Sequence, residues 1–279
     1  MESSRGKWSW YWLARNKPYW LIVLTGLLLA ASFPPSPLNY LIYIAFVPIF
    51  VLFEVGIVPE RQPEDTIFLP FKRILLVTWR FATLQFIWRR STRGVKVFRY
   101  RRRMISGNAQ LFRYSYGIFF LWNLLCCYWL MLTALGANSV QVAFVNVVAG
   151  VLAIALNPVL MSIPWQLHSR FRHFLAPELS ALALCCFWIA FEYLHINWEL
   201  AWPWLTLGHA LSFHPEMIQY VEFTGVLGIS VQILLVNVLL YTVVRHLRTA
   251  RVKSLIAIAG AIALFAAPYI VGNALTDPS

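Results

Sequence analysis

Residues 114–169 read "YSYGIFFLWNLLCCYWLMLTALGANSVQVAFVNVVAGVLAIALNPVLMSIPWQLHS" and contain no Lys, Arg, Asp or Glu. A hydrocarbon core about 30 Å thick takes roughly 20 apolar helical residues per crossing. The stretch therefore holds two crossings, over 116–135 and 140–167, turned at "GANS" (136–139). Pro158 and Pro164 fall inside the second, which lipid tolerates where neighbours or a local kink satisfy the freed carbonyls. Water-soluble domains do not carry uncharged runs of this length.

Outward from this pair, the rest of the chain obeys the same ruler. Residues 175–196, 219–244 and 255–274 are each apolar enough for one crossing. Residues 19–32 and 38–53 are two shorter apolar segments joined by "PPSP" (34–37), either short spans or a hairpin that dips without crossing. The expected fold is all-α: a polytopic helical membrane protein of about seven transmembrane segments, with three regions. Residues 1–53 carry an aromatic belt (Trp8, Trp10, Tyr11, Trp12, Tyr19, Trp20) and the two short segments; 54–115 form a basic insert; 116–279 form a five-helix bundle with a loop at 197–218. No short apolar region followed by a small-residue cleavage site marks a removed signal peptide.

Of 279 residues, 23 are Lys or Arg, and the net charge is +12. Such a balance raises the question of nucleic acid, but its distribution answers otherwise. The cations fall at Arg5 to Lys17, Arg61 to Arg113, Arg170 to Arg172 and Arg245 to Lys253, with an even number of crossings between successive clusters. All can sit on one side, which the positive-inside rule makes the cytoplasm of a multi-pass inner-membrane protein. The N-terminus is then inside and the C-terminus outside, with no nucleic-acid partner. Within the insert, "FKRILLVTWRFATLQFIWRR" (71–90) places Lys72, Arg73, Arg80 and Arg90 opposite Ile74, Val77, Phe81 and Trp88, the pattern of a helix lying at an anionic surface.

Chemistry-bearing residues are few. The adjacent pairs Cys126–Cys127 and Cys185–Cys186 sit mid-crossing, where a desolvated thiol is a poor nucleophile. Their spacing matches no zinc motif. His195, His209 and His214 have no helical ligand spacing, so no metal or other cofactor is expected, and no catalytic residue is assigned. Trp198, Trp202 and Trp204 form an interfacial belt. Glu192 stands apart: it lies just inside the end of a crossing, on one face with Trp188 (i−4) and His195 (i+3). An acid at that depth is costly unless paired or facing a polar cavity. A clamp between Glu192 and a histidine and a functional role remain open alternatives. Glu222, at the start of the next crossing, is a weaker case of the same kind.

Four stretches, "LLLAASFPP" (27–35), "FFLWNLLCCYWLMLTALG" (119–136), "FWIAFEYLHINWELAWPWLTLG" (187–208) and "EFTGVLGISVQILLVNVLL" (222–240), resemble the membrane domain of apolipoprotein N-acyltransferases. The signature comprises the Trp188–Glu192 spacing, Pro203-Trp204-Leu205 with Gly208, and Thr224-Gly225 followed by Gly228 and Ser230. The resemblance implies transfer of a fatty acyl chain from a membrane phospholipid to the N-terminal cysteine of bacterial apolipoproteins. In that family the chemistry belongs to a periplasmic nitrilase-like domain with a Glu-Lys-Cys triad. No lysine of this chain is expected outside, nor any exposed cysteine, so the triad is expected on a separate domain or chain. Glu192, His195, Trp202, Pro203, Trp204 and Glu222 are then expected to shape a lipid-binding opening. A non-catalytic scaffold or lipid-binding partner is the alternative, and a transporter a third, poorly supported by so few intramembrane charges.

Overall fold

The computed structural model describes residue 14 and residues 17–56, 95–171, 175–199, 201–247 and 249–276. The amphipathic stretch at 71–90 lies outside them. The described chain is all-helical. Proline opens several elements, where its missing N–H costs nothing and its fixed φ suits the first turn. Helix α1 (Pro18–Ala31) starts in this way, and a 3-10 turn (Asn39–Tyr43) leads into α2 (Val47–Gly56). Helix α3 (Val95–Cys127) is continued by the short α4 (Trp129–Leu132) and a 3-10 turn (Thr133–Gly136). The Ser139 hydroxyl then caps α5 (Val140–Met161) by accepting from the Val142 amide at 3.3 Å, and α6 (Ile163–Phe171) follows. Helix α7 (Pro177–Ile196) leads through two 3-10 turns (Pro203–Leu205 and Leu207–Leu211) to the short α8 (Pro215–Ile218). Helices α9 (Val221–His246) and α10 (Arg251–Thr276) complete the order.

Among the described residues, five helices are long and apolar enough to cross a membrane: Ala109–Gly136, Val140–Ser169, Glu178–Ile196, Val221–His246 and Arg251–Ile270. Pro18–Ala31 and Asn39–Glu54 are shorter. The helix that carries the segment expected over 116–135 begins at Val95, inside the basic insert, and its part long and apolar enough to cross is Ala109–Gly136.

In lipid, helices associate through close packing and interhelical hydrogen bonds, since apolar surface gains little by leaving an apolar solvent. Both devices are present. A Cβ at Gly26 would meet Leu121 Cδ2 at 2.8 Å, so glycine lets α1 and α3 approach. The rings of Phe46, Phe119 and Trp188 meet at the centre, with centroids 5.4 Å (Phe46–Trp188) and 5.3 Å (Phe119–Trp188) apart. Asn237 on α9 is fully buried. Its Oδ1 accepts from the Phe46 amide and its Nδ2 donates to the Ile42 carbonyl, each at 2.9 Å. The short N-terminal hairpin is thereby fastened to the middle of α9.

The cation-rich end of the bundle is tied by polar contacts. Arg245 pairs with Glu54, and its Nε lies 3.4 Å from Glu178 Oε1. Tyr241 donates to Glu54 Oε2 at 2.8 Å, and His246 Nε2 meets Glu178 Oε1 at 2.6 Å. The group joins α2, α7 and α9. Replacing Arg245 with Met leaves two carboxylates facing each other; the expected loss is about 1–2 kcal/mol, because the pair is partly solvated. A thermal unfolding midpoint in detergent unchanged from wild type would contradict this assignment.

Candidate functional site

The opposite end of the bundle, carrying 197–218, has no lysine or arginine. Here α7 ends and the chain doubles back through the two 3-10 turns. Trp202 donates its backbone N–H to the His195 carbonyl at 3.2 Å, which folds the loop onto the end of α7. Glu192 is the anchor of this fold-back. One carboxylate oxygen, Oε1, accepts from Trp188 Nε1 within the helix and from the Leu207 amide across the loop, both at 2.9 Å. The Ser230 hydroxyl lies near the same carboxylate and accepts from the Gly208 amide at 3.0 Å. Glu192 is 3% exposed. The clamp entertained from the sequence exists, but tryptophan and a backbone amide hold the carboxylate in place of a histidine.

Gly208 makes this closure possible. A Cβ there would press on the Val226 carbonyl, on Val226 Cγ2 at 2.7 Å and on Ile229 Cβ at 3.2 Å. Backbone cannot yield as a flexible side chain can. Gly208→Ala is therefore expected to destabilise by about 1–3 kcal/mol, as overpacking does, and a detergent melting curve would show it. Gly225 serves differently: its φ of +65° breaks the line of α9, a conformation that favours glycine.

A small cleft opens between α5, α7 and the loop, lined by Asn157, Met161, Phe191, Glu192, His195, Trp202, Leu205 and Thr206. Its free space is about 10 Å³, roughly that of one water molecule. Helix α5 packs on α3 and α4, whereas α7 packs on α6 and α9.

Three buried polar atoms at this cleft have no partner among the described residues: Glu192 Oε2, Asn157 Oδ1 and Trp202 Nε1. The other end of the Asn157 amide is occupied, with Nδ2 donating to Asn123 Oδ1 at 2.7 Å. Buried polar atoms are nearly always paired, and such unpaired atoms are not confined to the cleft: Tyr43 Oη, Trp122 Nε1 and Trp165 Nε1 are others.

The expected site residues divide here. Glu192, His195 and Trp202 come together on the cleft. Pro203 opens the 3-10 turn that delivers Leu205 and Thr206 to it. Trp204 points away, 54% exposed, with its ring edge-on to Trp129 at 5.5 Å. Glu222 is exposed in the first turn of α9, where a carboxylate favours the helix dipole. The His195 ring stacks on Phe191 at 4.8 Å. His209 is held below its ordinary pKa by burial, opposed by a hydrogen bond to the Pro203 carbonyl. Asn157 was missed; its signal was an amide placed mid-crossing beside Pro158, where polar groups are expensive.

Residues 66–239 match the apolipoprotein N-acyltransferase N-terminal domain family. The chain is also 24% identical over 241 residues to the apolipoprotein N-acyltransferase of Chlorobaculum tepidum. That alignment covers 85% of this chain and 34% of the relative, so the chain spans about a third of the length of the curated protein it matches.

Proposed function

The chain belongs to the apolipoprotein N-acyltransferase N-terminal domain family, and from that premise we propose that it admits phospholipid acyl chains for transfer to the N-terminal cysteine of bacterial apolipoproteins. The observation that carries the reading is the cleft at the cation-free end, where Met161, Phe191 and Leu205 lie beside the buried Glu192 between α5 and α7. The cleft holds about one water as it stands, so an acyl chain moving laterally from the bilayer would enter only as α5 and α7 part, meeting Phe191, Met161 and Leu205. The buried carboxylate anchors the loop that roofs them.

On this reading the topology is that of the positive-inside rule, with about seven membrane segments, the N-terminus in the cytoplasm and 197–218 on the outer side of the inner membrane. Transfer itself would fall to a nitrilase-like domain outside the membrane, with its Glu-Lys-Cys triad, above the loop. The chain's part in lipoprotein maturation is then presentation: the bundle fixes where an ester can stop and what faces it. Exposed Trp204 and Trp198 provide an aromatic rim suited to the lipid–water boundary.

The test is triacylation of a model lipoprotein in membranes that hold this chain with the nitrilase-like domain. Trp204→Ala and Glu192→Gln are each expected to slow the reaction severalfold at unchanged protein level. Rates equal to wild type in both would contradict the proposal and favour a scaffold without a part in acyl transfer.

A further inference from the structure

Each wall of the cleft carries an exposed tryptophan on a fixed mount. Trp129 belongs to α4, which lies against α5: a Cβ at Gly150 would meet Met131 Cγ at 3.0 Å and the Met131 backbone nitrogen at 3.1 Å. The 3-10 turn that bears Trp204 is held to α7. There the Trp202 amide donates to the His195 carbonyl at 3.2 Å, and the Leu207 amide to Glu192 Oε1 at 2.9 Å. Between these mounts the rings of Trp129 and Trp204 meet edge-on, with centroids 5.5 Å apart and planes at 78°. Gly150, where α4 rests, precedes Asn157 of the cleft by about two turns of α5. On the other wall, Trp204 directly precedes Leu205 of the cleft lining. The ring pair therefore lies beside the cleft, toward the start of α5.

We propose that Trp129 and Trp204 form an aromatic latch across the α5–α7 gap, with Trp129 a positioning residue that sets how often the gap opens to a phospholipid acyl chain. The inference rests on the acyl-admission reading. Because α4 is packed on α5 and the loop is fastened to α7, those helices cannot part without separating the two rings. An edge-on aromatic contact is weak, enough to favour the closed form by only about two- to tenfold. The rings are 40% and 54% exposed, so they can turn aside without disturbing the core. The contact between Phe119 and Trp188, both buried, has no such room.

The latch also separates admission from transfer. A gap that opens more often takes in a chain more readily but holds it less firmly in place. Trp204→Ala, expected to slow triacylation, should therefore raise the amount of acyl chain found in the gap.

The test uses the full chain in nanodiscs containing a phosphatidylcholine with a diazirine in one acyl chain. Crosslinks to Met161 and Leu205, normalised to those on lipid-facing Val145, read occupancy of the gap without turnover. Trp129→Ala should raise this ratio about two- to tenfold, and Trp204→Ala by a similar factor. The double variant should go no further than either, because both remove the same contact. Trp129→Phe keeps a ring against Trp204 and should stay within about twofold of wild type. Ratios unchanged or lowered in both alanine variants would overturn the latch, as would a double variant that multiplies the two effects. A Phe variant that rises as far as Ala would overturn it too. In each of those cases, label on Met161 in wild type would leave the acyl-admission reading standing. Absence of label from Met161 and Leu205 in wild type and variants alike would strike that reading, and the latch with it.

Discussion

Glu192→Ala is expected to be among the most damaging single substitutions in this chain. It removes the acceptor of two buried donors, Trp188 Nε1–H and the Leu207 amide, each held at 2.9 Å. An orphaned buried donor costs about 1–3 kcal/mol, so the pair costs about 2–6 kcal/mol. The loss would be local before it is global. With Leu207 released, the 3-10 turns lose their attachment to α7, and the Gly208–Ser230 contact at 3.0 Å is strained next. Glu192→Gln keeps an acceptor at Oε1 and should lose less than half as much. Melting temperatures of the two variants in the same detergent check the order. A Gln variant that falls as far as Ala would mean that charge, and not hydrogen bonding, holds the loop.

Asn237→Leu is expected to be comparably severe at the other level of the structure. The substitution nearly preserves volume, so packing is not the cause. It strands the Phe46 amide and the Ile42 carbonyl, both bound to Asn237 at 2.9 Å in a fully buried position. The same arithmetic gives about 2–6 kcal/mol. What detaches is the N-terminal hairpin, and with it Phe46, whose ring packs on Trp188 at 5.4 Å. Trp188 in turn carries one of the two donors to Glu192. A variant that melts early should therefore also lose the loop, which limited proteolysis between 197 and 214 would report as faster cleavage.

Much of this architecture is readable in the residues themselves. Uncharged windows locate the long helices because lipid admits little else, and the Trp188–Glu192 contact follows from the i, i+4 geometry of one helix. What the sequence leaves hidden depends on which elements meet in space. Asn157 and Glu192 are 35 positions apart by number, and only the packed bundle brings both to one cleft. The Leu207 amide carries no side-chain signal, so a histidine seemed the natural partner for the carboxylate. Trp204 and Glu222 share the loop's composition but face outward, a distinction that depends on the turn at Pro203 and the break at Gly225. Gly208 was visible in the family-like motif, although its reason, the approach to Val226, was not.

The central claim, that acyl chains enter between α5 and α7, is tested most directly by photo-crosslinking with a phospholipid that carries a diazirine in its acyl chain. Met161 and Leu205, 2% and 5% exposed, line the cleft and should be labelled in the intact protein. Labelling confined to outward residues such as Val145 and Ile256, 60% and 67% exposed, would contradict the account.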